Sequence, residues 1–276
     1  MAELHHLTAV RSRRGELGGL TVMAVHHVEE VMGTAISIDL VDCDDRSVVD
    51  ELVAWFHEVD EVFSPYIAES TISRIGRGEL APTDPEVADD VREVLQRCGE
   101  LCEETGGVFD VWSLPSPNGT RFDPCGYVKG WSVQRATEIV QRRGVSNFCI
   151  NAGGDVAVGG SNANDQRWRV GVRDPITESA IALTVVAKGS MAIATSGCYE
   201  RGAHIVDPRT GEAAVNFASA TVLGPNAADA DAYATTLLVM GVGGISWLAE
   251  HNGYSGCLIG HDRQLLSTDE FDAFLI

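Results

Sequence analysis

Apolar residues recur at two different intervals along this chain, and the interval sets the expected elements. In "LTVMAVHHVEEVMGTAISIDLVD", residues 20–42, the pattern reads as two strands with a turn near Met32-Gly33-Thr34. Residues 46–64, "RSVVDELVAWFHEVDEVFS", and 85–107, "PEVADDVREVLQRCGELCEETGG", carry apolar positions at helical spacing. The second stops at Gly106-Gly107, residues well suited to end a helix. A further helix fits 129–143, after "DPCGYVKG". From residue 148 onward come short strands punctuated by glycine, around 148–151, 155–159, 167–173, 181–187, 191–195, 204–206 and 218–223. Helices at 229–241 and 243–250 follow, then a strand pair near 255–267. Regular strand–helix alternation is missing. The expectation is therefore an α+β fold of mixed, mostly antiparallel sheets with flanking helices, not a Rossmann fold. No repeat, low-complexity tract or separating linker interrupts the chain. Residues 19–276 read as a single domain behind a disordered leader at 1–18.

Charge and cysteine content narrow the classes of function. The chain has 276 residues, 45% of them hydrophobic, enough for a substantial core. Forty acidic against 20 basic residues give a net charge of −20. Such a surface repels phosphate backbones and anionic membranes, so nucleic acid is excluded as a partner. Any bound polyanion needs a local cation, either a metal or a few placed basic groups. The seven cysteines are odd in number, scattered, and free of any CxxC pair. They read as reduced thiols of a cytoplasmic protein. No apolar run reaches bilayer-spanning length, and no apolar leader or lipid-attachment cysteine marks the N-terminus, so membrane insertion is not expected.

Several stretches invite a chemical reading beside a plain structural one. In "ADADAYATTLLVMG", residues 228–241, Asp231 and Thr235 are four apart and share a helix face. The aspartates could cap the helix, with Asp229 serving in part, or Asp231 and Thr235 could face a metal. "FSPYIAESTISRI" offers a turn with an N-cap at Ser70, or an exposed contact at Tyr66. "GGVFDVW" is a helix stop leading into a strand, or a place where a ligand approaches the backbone. Lys129, beside Gly130 at what reads as a helix start, opposes the helix dipole; it is a solvated surface lysine or an anion contact. "NAGGDVAVGG" is a hairpin turn or a phosphate cradle, but it is not GxGxxG and no helix follows it. "AIATSGCYERGAHIVDPRTG" lacks a GxSxG elbow, and its His204 is either a strand histidine or a reactive one.

Taken in order, these stretches resemble one family, the ApbE-type FAD:protein FMN transferases. The run is MGT, FS-x-Y-x-x-x-S, GG-x-FD, D-x-x-G-x-x-KG, N-x-GGD, ATSG-x-Y, H-I-x-DP-x-TG and ADA-x-x-T, from Met32 to Gly241. The resemblance implies a flavin-binding α+β domain with Mg²⁺ at the FAD diphosphate. It implies transfer of FMN from FAD to a Thr or Ser hydroxyl of a target protein, with release of AMP. The alternatives are an FAD pyrophosphatase that uses water, and an FAD-binding protein without catalysis. By the same resemblance, Asp231, Thr235 and the backbone oxygen of Gly126 hold the metal. FAD contacts fall on Met32, Tyr66, Val108, Phe109, Asp110, Asp123, Lys129 and Ile205. His204, with Asp231 and Lys129, falls in the catalytic set. The physics is consistent: Mg²⁺ prefers oxygen ligands, and phosphoryl transfer needs positioning and charge more than covalent help. The chain departs from the pattern at Gln134, where many relatives have Asp, at Cys198 after TSG, and in the short loop 111–122.

Overall fold

The computed structural model describes residues 24–114, 119–197 and 205–276. The expected leader and His204 and Cys198 lie outside the described residues. Strands β1 (Ala24–Val31) and β2 (Thr34–Val41) form the first hairpin. Met32 and Gly33 both have positive φ, 56° and 68°, the signature of the two-residue turn whose twist matches its strands. Helices α1 (Arg46–Phe63), α2 (Thr71–Gly76), α3 (Asp89–Glu104) and α4 (Cys125–Arg142) follow. Then come β3 (Asn147–Ala152), β4 (Asp155–Gly159), the side hairpin β5 (Arg169–Arg173) and β6 (Ile181–Val186), β7 (Met191–Gly197) and β8 (Ser219–Gly224). Helices α5 (Ala227–Met240) and α6 (Val242–Ala249) lead into β9 (Ser255–Ile259) and β10 (Leu265–Ser267).

The main sheet has eight strands in the order β1-β2-β3-β4-β7-β8-β9-β10. Every neighbouring pair in it is antiparallel, which makes the fold α+β and sets it apart from a doubly wound sheet. The central strands are buried on both faces, and their side chains alternate between two cores. Val156, Val158, Ile193 and Leu223 face a small core closed by Val172, Val185 and Phe271. Ala157, Ala192, Ala194 and Ala220 face the large core under the helices. Ala228, Ala230, Ala232 and Ala234 of α5 are buried in the same core. Small side chains on both sides let α5 lie close against the sheet, and the helix is buried nearly all round, as its lack of a polar face requires.

Four local expectations need correction. The helix expected at 129–143 begins at Cys125, because the Asp123 side chain accepts the Cys125 N–H and Pro124 suits the entry. The helix expected at 229–241 begins at Ala227, with Asn226 as its cap, accepting from the Ala228 and Asp229 amides. Asp229 is thus free of capping duty. No strand follows Gly106-Gly107; both residues have positive φ and the chain turns repeatedly to Leu114. The expected strand near 204–206 reduces, in the described residues, to one isolated bridge between Val206 and Ala213. Ser70 does cap a helix, α2, accepting from the Ser73 amide.

Candidate active site

The site grows from the contact between α4 and α5. A Cβ added to Gly130 would sit 2.5 Å from the Ala227 carbonyl oxygen and 2.6 Å from Asp231 Cβ. Only glycine lets the two helices meet this closely. At that contact the Gly130 amide donates to Asp231 Oδ2 at 3.0 Å. In an α-helix this N–H points toward the carbonyl four residues back, which is Gly126. Asp231 thus reaches the α4 backbone at Gly130, one turn after Gly126. Asp231 does not cap its own helix. It lies within the second turn and is directed at the neighbouring one.

A second carboxylate completes the cluster. Asp155 opens β4, a strand buried along its whole length, and is itself 1% exposed. Its Oδ2 is 2.6 Å from Lys129 Nζ, and its Oδ1 has no hydrogen-bond donor among the described residues. Lys129 stands in the second turn of α4, not at its start, and reaches across to the β3–β4 hairpin. Burial pushes the Asp231 carboxyl well above the usual carboxylate range, and the charge of Asp155 pushes it the same way. Lys129 and the Gly130 amide act in the opposite direction and do not outweigh them. Two buried acids against one ammonium is an arrangement short of positive charge.

The hairpin carrying Asp155 is braced. Ala152 pairs with Asp155 across Gly153-Gly154, and Asn151 Oδ1 accepts the Gly154 amide at 3.0 Å. A Cβ on Gly153 would lie 2.5 Å from Thr34 Oγ1, so this hairpin tip presses on the turn that carries Met32. One turn beyond Asp231, Thr235 Oγ1 is 2.9 Å from Ser196 Oγ at the end of β7. Asp231, Thr235 and the Gly126 carbonyl are all oxygen donors, and the buried Asp155 carboxylate neighbours Asp231. This set could hold a small hard cation such as Mg²⁺, which takes mixed oxygen ligands and keeps positions for water or phosphate. A metal held mainly by His, Cys, Asp and Glu has no such group of three among the described residues.

The residues expected to touch FAD occupy varied settings. Tyr66 is 73% exposed in the turn after α1. Val108 and Phe109 are buried, the Phe109 ring packing against Gly126. The Asp110 carboxylate accepts from the Trp112 amide and the Ser113 hydroxyl, which organises the turn. The Asp123 carboxylate accepts the Cys125 amide just before α4, and Ile205 is buried in the large core. Gln134 has a clear place: its Oε1 accepts the Ala227 amide at 3.0 Å, satisfying an orphan N–H at the start of α5. Asp155 is the residue that reading the sequence missed. The signal was there, since an aspartate at the head of the buried apolar strand "DVAVG" needs a partner, but the turn chemistry of "NAGGD" accounted for it.

Comparison with known proteins bears on the family and the fold. The model of the ApbE family matches residues 32–116 and 113–259. An FAD:protein FMN transferase from Vibrio cholerae is 34% identical over 122 residues, covering 41% of this chain and 36% of that protein. The matched part thus spans well under half of that relative. One from Haemophilus influenzae is 24% identical over 300 aligned residues, covering 88% of this chain and 85% of its own. Among solved structures, the flavin transferase ApbE from Vibrio cholerae superposes with a TM-score of 0.80 at 24% identity, over 92% of this chain and all (100%) of that one. An ApbE protein from Thermotoga maritima gives 0.77 at 21% identity, over 91% and 99%. These likenesses establish the fold, and the family model, which runs through the α4, β3–β4 and α5 segments that build the carboxylate centre, establishes that the chain belongs to the ApbE family.

Proposed function

We propose that this chain is a Mg²⁺-dependent FAD:protein FMN transferase, one that moves FMN from FAD to a Thr or Ser hydroxyl of a target protein and releases AMP. The observation that carries the reading is the buried pair of Asp155 and Asp231 with Lys129 against it. It sits in a chain similar to proteins named FAD:protein FMN transferase. Residues 19–276 act as one unit in this reading. Asp231, Thr235 and the Gly126 carbonyl are the metal ligands. Mg²⁺ bound there supplies charge neutralisation to the FAD diphosphate. Met32, Tyr66, Val108, Phe109, Asp110, Asp123 and Ile205 surround the flavin nucleotide. Lys129 serves as a point charge on the phosphates, held in place by its ion pair. The acceptor hydroxyl oxygen bonds to the FMN phosphorus as the bond from that phosphorus to the bridging oxygen breaks. AMP leaves with that oxygen, and the hydroxyl proton passes to His204 as general base.

No helix among the described residues is long and apolar enough to cross a membrane. The free thiols Cys43, Cys98, Cys102, Cys125, Cys149 and Cys257 suit a reducing compartment, so we place the enzyme in the cytoplasm. The test is incubation with FAD and a Thr-containing acceptor, with and without Mg²⁺, following AMP by chromatography and flavin on the acceptor by mass. Metal-dependent AMP release with FMN on the acceptor is the expected result. Metal-dependent release of both AMP and free FMN, with an unmodified acceptor, assigns the chain to the pyrophosphatases instead. Turnover unchanged in Asp231→Ala overturns the site.

A further inference from the structure

Asp155 is not needed to finish its hairpin. The turn is closed by Gly153 and Gly154 and by the Asn151 side chain, and an amide would fit the head of β4 as well as a carboxylate does. Nor is it needed to balance charge. Lys129 against Asp231 alone would leave the α4–α5 contact neutral. Adding Asp155 sets two buried acids against one ammonium and opposes ionisation of Asp231, which is costly where water is excluded. The cost needs a reason.

We propose that Asp155 is a positioning residue of the cation site: it fixes the Lys129 ammonium and supplies the second negative charge that draws a divalent cation to Asp231. The inference rests on the function proposed above and deepens it. Three observations support it. Asp155 Oδ2 lies 2.6 Å from Lys129 Nζ, so the half-buried lysine is held to the hairpin. Asp155 Oδ1 is buried and receives no donor among the described residues. The hairpin tip is locked, by Asn151 on one side and Thr34 on the other, so the carboxylate has a fixed address. The charge count follows. Once a divalent cation ionises both acids, two carboxylates and one ammonium carry a net negative charge that holds it. With that cation added the centre is net positive, which suits a diphosphate. A single carboxylate would give a weaker trap for the metal. Charged groups just outside a metal's ligands typically change its affinity about 10- to 100-fold when mutated.

The test uses the full chain without FAD and with Mn²⁺ as the probe. Free Mn²⁺ is followed by its paramagnetic resonance, and thermal unfolding is measured in chelator. Asp155→Asn, which keeps shape and removes charge, is expected to bind Mn²⁺ about 10-fold or more weakly. Its unfolding midpoint in chelator should equal or exceed that of the unaltered protein, because a surplus buried charge has gone. Lys129→Met, which removes the competing cation, is expected to bind Mn²⁺ more tightly. Opposite signs in the two variants are the signature, since loss of a purely structural contact would weaken both. Unaltered Mn²⁺ affinity in Asp155→Asn overturns the inference, and so does weaker binding in a folded Lys129→Met. If Asp155→Asn does not fold, its role is structural and the proposal falls. FAD is absent from this titration, so failure of FMN transfer and failure of the Asp155 role are read out separately.

Discussion

Helix α5 carries two aspartates two residues apart, and they live in opposite electrostatic worlds. Asp229 faces α3. Its Oδ1 takes the Arg97 guanidinium at 3.1 Å and its Oδ2 the Tyr254 hydroxyl at 3.4 Å. Glu104 beside it accepts from Tyr233 at 2.6 Å, meets His251 at 2.8 Å and pairs with Arg97 at 3.3 Å. Each carboxylate oxygen on that side has a partner. Asp231 faces α4 and the sheet, where Asp155 keeps an oxygen with no donor and one ammonium stands against two acids. The first cluster is a satisfied strut between α3, α5 and α6. The second is left unsatisfied in the middle of the fold. A structure that can satisfy Asp229 with Arg97 and Tyr254 could have done the same for Asp231. Strain of this kind persists where something other than stability is being selected.

The contrast can be broken or sharpened experimentally. The largest effect is expected from Asp231→Asn, which should lower metal-dependent FAD turnover more than about 100-fold, beyond the range for outer groups, with the fold retained in circular dichroism. Next, Gly130→Ala should cost about 1–3 kcal/mol in chemical denaturation and disable turnover as well, because its methyl must displace the Ala227 carbonyl. Arg97→Met attacks the satisfied side. It should destabilise by about 1–3 kcal/mol, between the values for exposed and buried pairs, yet leave turnover per folded molecule within about twofold. Equal loss of turnover in Arg97→Met and Asp231→Asn would erase the distinction. The last effect is thermal: at saturating Mg²⁺, about 100 times its Kd, unfolding of the unaltered chain and of Arg97→Met should be opposed by up to about 2.7 kcal/mol, and that of Asp231→Asn hardly at all.

Much of this was legible in the residues, and the exceptions have physical causes. Period-two and helical patterns placed the first hairpin, α1, α3 and most later strands, because burial on one face leaves a periodic trace. The starts of α4 and α5 were placed too late. "DPCG" and "GPN" read as loop, yet Asp123 accepts the first amide of α4 and Asn226 caps α5, and such residues look like turn residues when read alone. Asp231, Thr235 and Lys129 were marked from a motif series, and the structure gathers Lys129, Asp231 and Gly130 around one contact. Asp155 escaped because a Gly-Gly turn already explained its neighbourhood. The service done by Gln134 for the Ala227 amide could not be read at all, since it joins positions 93 residues apart.

That separation has a consequence for the order of events in the cell. The hydrogen bond from Gly130 to Asp231 spans 101 residues, and Ser196 and Thr235 are 39 apart. Contacts between distant residues form late, because the loop they close must be ordered first. During synthesis the hairpins and the first four helices can emerge and begin to pack while Asp231 is still inside the ribosome. Packing of α5 against α4 and the sheet completes the large core and brings Asp231 to the carboxylate centre, so core and centre depend on the same helix contact.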